Sequence, residues 1–358
     1  MAQERGAGRR PPALHGWRAA VHEYVKCVSE AEIDMSVGPL TAVAEDDKHL
    51  GRLENRLRRM RDRELRRGVF PERHEARAIL LDFREDGDTA AVRLKLHLKR
   101  SLSFGEAAYT EEKMETERIR LKHRNGVWRV TGIVPEVEEL RREPELPEDQ
   151  TDPDREDAAD RFPRKQDGPG LPLPYINGRL LPHFHRTRAG IPYRRDLAAA
   201  YADRWWNEPN PAYETFEVNC TNYVSQCLFA GHAPMNYTGR RDSGWWYKGR
   251  SGGRELWSYS WAVSHALQSY LARGSTSGLQ AVQVESPADL TLGDVIVYDW
   301  DGNGRFQHST IVTAFDSNGM PLVNANTTAS RHRYWDYRDS YAWTERTRYK
   351  FFHIADEF

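Results

Sequence analysis

The feature that most restricts the fold is a stretch in the middle of the chain that cannot form a core. It reads EPELPEDQTDPDREDAADRFPRKQDGPGLPLP and is rich in acidic residues, proline and glycine. A segment with so few large apolar side chains cannot bury enough surface to offset the entropy lost on ordering. We therefore expect a linker over residues 141–190, a disordered start at 1–14, and two domains, at 15–140 and 191–358.

Composition excludes several functional classes. The 358 residues include 52 lysines and arginines and 53 aspartates and glutamates, so no overall charge favours nucleic acid or an anionic membrane as a partner. The first thirty residues lack the apolar core of a secretory signal, which predicts a cytoplasmic protein. The 3 cysteines fit a reducing compartment without a disulfide framework.

The first half has the pattern of an α+β domain. Apolar residues recur at helical spacing in two segments, at Trp17, Val21, Tyr24, Val25 and Val28 and at Leu50, Leu53, Leu57 and Met60. The stretch TAAVRLKLHLKR then alternates apolar with charged residues, as a half-buried strand does, and Asn125-Gly126 predicts a type I′ hairpin turn. Helices followed by a curved antiparallel meander resemble the cone-shaped nuclear transport factor and SnoaL-like fold.

One run in this half could suggest a nucleic-acid site. RLENRLRRMRDRELRRG is rich in arginine, but acidic residues are interleaved and an apolar stripe already accounts for a helix. We expect its charged residues to form a solvated helix face.

The second half contains a cysteine at an unusual position. Cys220 precedes an apolar helical pattern formed by Tyr223, Val224, Cys227 and Leu228. A thiol at a helix N-terminus is exposed to unpaired N–H groups and to the positive end of the helix dipole, which favour the thiolate. Cys227 lies too far along the helix for a disulfide with Cys220 and is expected in the core.

A strong thiol nucleophile also needs an imidazole and a group that orients it. His308 begins the strand pattern HSTIVTAF, after the buried run Val295 to Tyr298 and the DWDGNG turn. Asn324 is polar in the apolar strand PLVNAN that follows. Cysteine on a helix, histidine on one strand and a polar residue on the next give the order that cysteine hydrolysis requires, so we predict a catalytic Cys220–His308–Asn324 triad.

Residues 191–358 resemble the bacterial "putative amidase domain" family, within the NlpC and CHAP group of papain-like cysteine peptidases and amidases. The resemblance is carried by YRRDLAAAYADRWW, CTNYVSQCLFAGHAPM, SWAVSHALQSYL, GDVIVYDWDGNGRFQH and PLVNANT. It implies a papain-like α+β fold with Cys220 as nucleophile and His308 as base. The chain departs from the family at Asn219, which is usually aspartate, and at Asn326, which is usually histidine, so either Asn324 or Asn326 could orient His308.

Other residues of the second half are candidates for substrate binding. All tryptophans except Trp17 and Trp128 lie beyond the linker, and aromatic rings can line a groove for sugar or peptide or form the core. The candidates are Tyr213, Asn222, Trp245, Trp246, Tyr247 and Trp300. His265, inside a helical pattern, is expected to be structural, and we expect DWDGNG to be a turn because Thr310 replaces the closing glutamate of a calcium loop.

The sequence therefore predicts a cysteine hydrolase that uses no cofactor or metal. The resemblance implies a peptide or peptidoglycan fragment as substrate, with no nucleic acid or membrane partner. Two alternatives remain: an acyltransferase that uses the same Cys–His pair, and a wall-binding or interaction module without catalysis. The oligomeric state is left open.

Overall fold

The computed structural model describes residues 15–105, 107–141, 190–251 and 254–358. The predictions for residues 1–14 and for nearly all of the linker at 141–190 lie outside these ranges. Across the described residues, no helix combines the length and the apolar character needed to cross a membrane.

The N-terminal half consists of helices followed by an antiparallel meander. Its elements are α1 (Trp17–Asp34), α2 (Gly38–Thr41), α3 (Asp47–Arg67), β1 (Phe70–Asp86), β2 (Thr89–Phe104), β3 (Ala107–Arg124) and β4 (Val127–Glu136), with a 3-10 turn at Glu138–Leu140. Each strand pairs antiparallel with its sequence neighbour. The α+β class of this half is confirmed.

Two local patterns produce this meander. On β2, Val92, Leu94 and Leu96 are buried while the charged residues between them are partly exposed. Between β3 and β4, Asn125 and Gly126 both have positive φ, 51° and 81°, as a type I′ turn requires. Both sequence predictions are confirmed.

The C-terminal half begins with helices and ends in an antiparallel sheet. Its helices are α4 (Arg195–Trp205), α5 (Cys220–Ala230), α6 (Tyr259–Ala262) and α7 (Ser264–Arg273), with a 3-10 turn at Pro287–Asp289. Its strands are β5 (Tyr247–Ser251), β6 (Arg254–Trp257), β7 (Ala281–Val284), β8 (Val295–Asp299), β9 (His308–Phe315), β10 (Pro321–Ala325), β11 (Ser330–Tyr334) and β12 (Arg348–Ile354).

One ten-stranded sheet runs through both halves. Its order is β1-β2-β3-β11-β10-β9-β8-β12-β7, with β4 also paired to β3. The edge of β3 that does not face β2 pairs with two strands. Residues Thr116 to Arg124 pair with β4, whereas Glu112 and Lys113 pair with β11. The two halves have separate apolar cores, but they are not separate in the sheet.

The strand β9 shows which residues lie on each face of the sheet. Ile311 packs with the helices α4, α5 and α7 in one core cluster, and we call this side the helix face. Val312 packs with Tyr298, Trp300 and Tyr337 in a different cluster, on the side we call the far face. Successive strand residues point to opposite faces, so Ser309 lies on the helix face and His308 on the far face.

The arginine-rich helix α3 connects the halves. The expectation of a solvated face is wrong for three of its arginines, because acidic residues of the C-terminal half cover Arg63 and Arg67 and acidic residues of the N-terminal half cover Arg56. Arg63 lies 3.1 Å from Asp336 with only 3% of its side chain exposed. Arg67 lies 2.9 Å from Asp316, and Arg56 is buried with Glu32 and Glu115. The acids interleaved in the sequence could not reveal these distant partners.

Candidate active site

Cys220 is the first residue of α5, as the sequence predicts. Asn219 precedes the helix but forms no side-chain cap bond to it. Its side-chain oxygen instead accepts hydrogen bonds from the Phe216 backbone N–H and from Asn222. Among the described residues, no acceptor is recorded for the backbone N–H of Thr221 or Asn222. The first turn of this helix therefore keeps donors of the kind that stabilise an oxyanion.

The start of α5 is fixed to the sheet through hydroxyl groups. Cys220 is fully buried, and its Sγ lies 3.8 Å from the Thr221 hydroxyl. Thr221 Oγ1 lies 3.1 Å from Ser309 Oγ on β9, which in turn lies 2.9 Å from Ser264 Oγ on α7. The N-terminal end of the helix is thus held against the middle of the helix face.

The second cysteine of this helix is a core residue, which confirms its assignment. Cys227 is fully buried among the apolar residues that join α4 and α5. Burial raises the pKa of its thiol well above the usual range. Gly231 ends the helix, although with φ of −77° and not in the left-handed conformation. A Cβ there would lie 2.4 Å from the Tyr193 ring, so close packing requires the glycine.

His308 is not beside Cys220. Its ring lies on the far face among Tyr298, Trp300 and Tyr337, with ring centroids 5.5, 5.8 and 5.3 Å away. Nε2 lies 3.4 Å from the Tyr337 hydroxyl, and Nδ1 has no hydrogen-bond partner within the part of the chain that the structure describes. Burial, with a smaller contribution from Arg333, lowers the pKa of this imidazole to about 3. The expected contact between thiol and imidazole is therefore not formed, because strand alternation directs His308 away from α5.

The side chain of Asn324 also does not reach His308. Its oxygen accepts hydrogen bonds from Thr313 Oγ1 and the His332 backbone N–H, both 2.8 Å long. Its nitrogen donates to Asp203 on α4 at 2.9 Å. Asn324 pairs with Ile311 and so shares the helix face, opposite to His308. In this structure it joins strands to α4 and does not orient the imidazole.

Asn326 lies closer to the nucleophile position. Its side-chain oxygen accepts a 2.7 Å hydrogen bond from Asn219, the residue before Cys220. Its nitrogen donates to the backbone oxygens of Trp205 and Trp206. The two positions where the chain departs from the family pattern are therefore in direct contact, an amide pair that adjoins the thiol.

Most of the aromatic candidates for substrate binding belong to the core. Trp245, Trp246 and Tyr247 are 0%, 1% and 1% exposed, and the Trp245 indole donates to Ser225 on α5. Trp300 lies beside His308 on the far face. Because they are buried, these four rings cannot line an open groove. They form part of the core, which was the second of the two expectations. Their indole and ring contacts with distant elements could not be read from spacing along the chain.

The remaining two candidates support the loop before α5. Tyr213 packs against Tyr247 and Trp261, with ring centroids 5.1 and 6.2 Å away. Asn222 is buried, donates to the Glu214 carbonyl and accepts from the Trp261 indole. Both residues pack in the core next to the loop that precedes Cys220.

A charged cluster on the helix face was not predicted. Asp203 on α4 contacts Asn324, Arg331 and His332, the last two at 3.1 Å. Burial alone would raise the pKa of its carboxyl, but these contacts hold it well below the usual range. Asp203 lies in a helix and His332 on a strand far along the chain, so no local signal relates them.

The DWDGNG segment is a turn built around one carboxylate. Asp299 accepts hydrogen bonds from the backbone N–H groups of Asp301, Gly302, Asn303 and Gly304. Its oxygens point inward to the loop backbone, which confirms the turn. Among the described residues, no group of three or more side chains is arranged to hold a metal ion.

A comparison with protein families finds a match in this half of the chain. Residues 192–352 match the family described as "Putative amidase domain". This match supports an amidase-like domain and suggests a hydrolase.

One curated relative is similar to part of the chain. The uncharacterized protein YhbB of Bacillus subtilis (strain 168) is 54% identical over 165 residues, which cover 46% of this chain and 51% of that protein. The chain thus spans about half the length of the curated relative it matches.

A solved structure is similar only in part. The crystal structure of the intermembrane space region of the chloroplast protein ARC6 is 19% identical, with a TM-score of 0.24. It covers 35% of this chain and 98% of its own. A score this low carries no argument about the fold.

Proposed function

We propose that the C-terminal half is a thiol-dependent amidase with a papain-like arrangement and Cys220 as its nucleophile. The observation that carries the proposal is the position of Cys220 at the first residue of α5, where no side chain caps the helix. A thiol at this place has the helix dipole and free backbone donors beside it. The match of this region to the amidase family supports the reaction class.

The proposed chemistry proceeds through a thioester. The Cys220 thiolate attacks an amide carbonyl, and N–H groups of the first helical turn stabilise the resulting oxyanion. The C–N bond breaks as the amine takes the proton that the thiol gave to the base. Water then hydrolyses the thioester and releases the acid and the thiol. An amine in place of water would make the same apparatus an acyltransferase. We propose a cell-wall peptide as substrate, on the resemblance to the NlpC and CHAP group.

The proton transfer requires a movement of the proposed base. His308 is the proposed base, yet its ring is held on the far face with a pKa lowered to about 3. Catalysis through His308 requires the start of β9 to turn towards the helix face. This geometry favours a second candidate function, a wall-binding module in which the cysteine is no longer catalytic.

Alkylation of the thiol separates the two candidates. We would measure the rate of iodoacetamide modification of Cys220 against pH, in the wild type and in His308→Ala, locating the modified residue by peptide mass analysis. His265→Ala is the matched control, because this exposed histidine lies on α7 beside Ser264, on the Cys220 side of the sheet. An amidase should show modification below pH 7 that is lost in His308→Ala and retained in His265→Ala.

Product analysis completes the test. Purified wall fragments incubated with the wild type should give cleaved peptides, and Cys220→Ser should give none. No cleavage together with a thiol that reacts no faster than a free cysteine would reject the amidase and leave the binding module. Loss of reactivity in His265→Ala instead of His308→Ala would assign the base to His265.

A further inference from the structure

The first strand of the sheet has a long free edge. β1 spans 17 residues and ends the strand order, and within the described residues it pairs only with β2. Its second part carries exposed apolar side chains, with Ile79 49%, Leu80 44% and Phe83 46% exposed. Soluble proteins rarely leave such an edge open, because its unpaired backbone groups accept another strand.

A bulge in β1 determines which side chains share a face. Leu80 pairs with Leu94 and Asp82 with Arg93, so Leu81 is an extra residue without a partner on β2. On the core side of β1 lie Ala76, Ala78, Leu80 and Phe83, which pair with buried positions of β2. On the outer side lie Arg73, Glu75, Arg77, Ile79, Asp82, Arg84 and Asp86.

The outer side is complementary to itself in antiparallel orientation. If two copies of β1 meet about a two-fold axis at Ile79, Arg77 lies opposite Asp82 of the second copy. Beyond this pair, Glu75 lies opposite Arg84, and Arg73 lies opposite Asp86. Every charged residue on this side then lies opposite a residue of the other sign, and the two-fold axis generates each of these pairs twice. Directly opposed charges of this kind stabilise a sheet.

Other registers fail the same test. A slip of one residue would exchange the faces of the sheet, so the nearest alternatives are two residues away. In one direction Glu75 meets Asp82 and Arg73 meets Arg84. In the other, Arg77 meets Arg84 and Glu75 meets Asp86. Both alternatives oppose like charges, so the charge pattern specifies the register centred on Ile79.

The core side of β1 agrees with this register. Ala78 lies opposite Leu80 of the second copy, and Ala76 lies opposite Phe83, so a small residue meets a large one at each place. The exposed apolar surface of both large residues becomes covered. Arg73 and Arg77 contact Glu75 of their own strand at 3.0 and 3.8 Å in exposed pairs, which leaves guanidinium donors for a partner.

We propose that the protein is a homodimer in which two β1 strands pair antiparallel about Ile79 and join the two sheets into one. The interface is isologous, as a two-fold dimer requires. The site at Cys220 belongs to the other half of the chain and contributes nothing to this contact. The dimer is therefore independent of the proposed amidase activity.

A cysteine on the two-fold axis tests the register. Opposed Cα atoms in an antiparallel pair lie about 4.5–5.5 Å apart, within the range of a disulfide. Ile79→Cys should therefore form a disulfide-linked dimer on mild oxidation of the full chain. Asp88→Cys, an exposed position in the turn after β1, is the control and should not. The wild type, which keeps the native cysteines Cys27, Cys220 and Cys227, is oxidised alongside and should give no linked dimer. Equal cross-linking at both positions would overturn the register.

Charge exchange tests the interface itself. Arg77→Glu places two pairs of like charges across the axis, and sedimentation should show the dimer dissociation constant raised at least about tenfold. Adding Asp82→Arg to the same chain restores opposite charges and should restore the dimer. Lys48→Glu, an exposed lysine of α3, makes the same change in net charge and should have no effect. A monomeric wild type, or a dimer indifferent to Arg77→Glu, would overturn the proposal.

Discussion

Arg63 provides a direct test of how the two halves are held together. Its guanidinium comes from α3 in the first half, is 3% exposed, and lies 3.1 Å from Asp336 in the second half. It also lies 3.1 Å from Glu64 and 3.7 Å from Asp339. Arg63→Leu keeps the aliphatic part of the side chain and removes the charge, so three buried carboxylates lose a cation.

The expected cost follows from what each carboxylate retains. Glu64 still has Arg100, and Asp339 still has Arg333 at 3.1 Å. Among the described cations, Asp336 keeps only Arg338, which lies 3.5 Å away and is partly exposed. Removing one partner of a buried pair typically costs about 3–5 kcal/mol. Since one of the three carboxylates is left nearly uncompensated, we expect the lower end, about 3 kcal/mol of unfolding free energy.

Urea denaturation measures this cost. We would follow tryptophan fluorescence, which reports mainly on the second half, and circular dichroism, which reports on both. The two signals should give one transition, at a lower midpoint in Arg63→Leu than in the wild type. Arg58→Leu, an exposed arginine of the same helix, should change stability by less than about 0.5 kcal/mol. Adding Asp336→Asn to Arg63→Leu removes the uncompensated charge and should recover part of the loss.

Two results would refute this account of the junction. One is a decrease in unfolding free energy of less than about 1 kcal/mol in Arg63→Leu, which would mean that the Arg63–Asp336 pair contributes no more than a surface ion pair. The other is a pair of separate transitions in the wild type, which would mean that the halves unfold independently despite sharing a sheet.

Three further predictions concern the candidate site. Cys220→Ser should abolish amide cleavage with little change in stability, whereas Cys227→Ala should cost about 1 kcal/mol by denaturation, as a small core truncation does. Asn326→Ala should slow Cys220 alkylation more than Asn324→Ala, because Asn326 accepts a hydrogen bond from the Asn219 side chain whereas Asn324 bonds Asp203. Asn324→Ala should instead lower stability by about 1–3 kcal/mol. The reverse order in the alkylation assay would contradict this prediction. The pKa of His308 falls from 6.5 to about 3 on folding, so the unfolded state binds the extra proton and stability decreases as pH falls below 6.5. His308→Phe should make this decrease shallower by up to about 1.36 kcal/mol per pH unit in denaturation series from pH 7 to 4.

Patterns carried by a few adjacent residues could be predicted from the sequence. The alternation on β2, the turn at Asn125-Gly126 and the start of α5 at Cys220 each depend on local backbone geometry and on one apolar face. These features follow from strand and helix periods that hold in any protein. They are the parts of the fold that the structure confirms.

The orientation of His308 could not be predicted in the same way. The run Val295 to Tyr298 is apolar on both faces of its strand, so nothing in the sequence shows which face the helices cover. His308 stands opposite Tyr298 in the register, and Tyr298 faces away from α5. The direction of the imidazole therefore depends on which face of the sheet the helices cover, and packing between residues distant in sequence determines that face.

Contacts among the described residues hold the two halves together. Glu139, just after β4, is buried against Arg333. Its carboxylate accepts hydrogen bonds from the hydroxyls of Thr328 and Ser340. With Arg63 and Arg67 on α3, it fixes the N-terminal half to residues that lie before β10, in the turn after β10, and on and after β11. Cleavage within residues 142–189 should therefore leave the fragments associated. All residues assigned to the amidase lie within 192–352, so loss of activity in a C-terminal fragment expressed alone would indicate that its buried acids had lost their arginines.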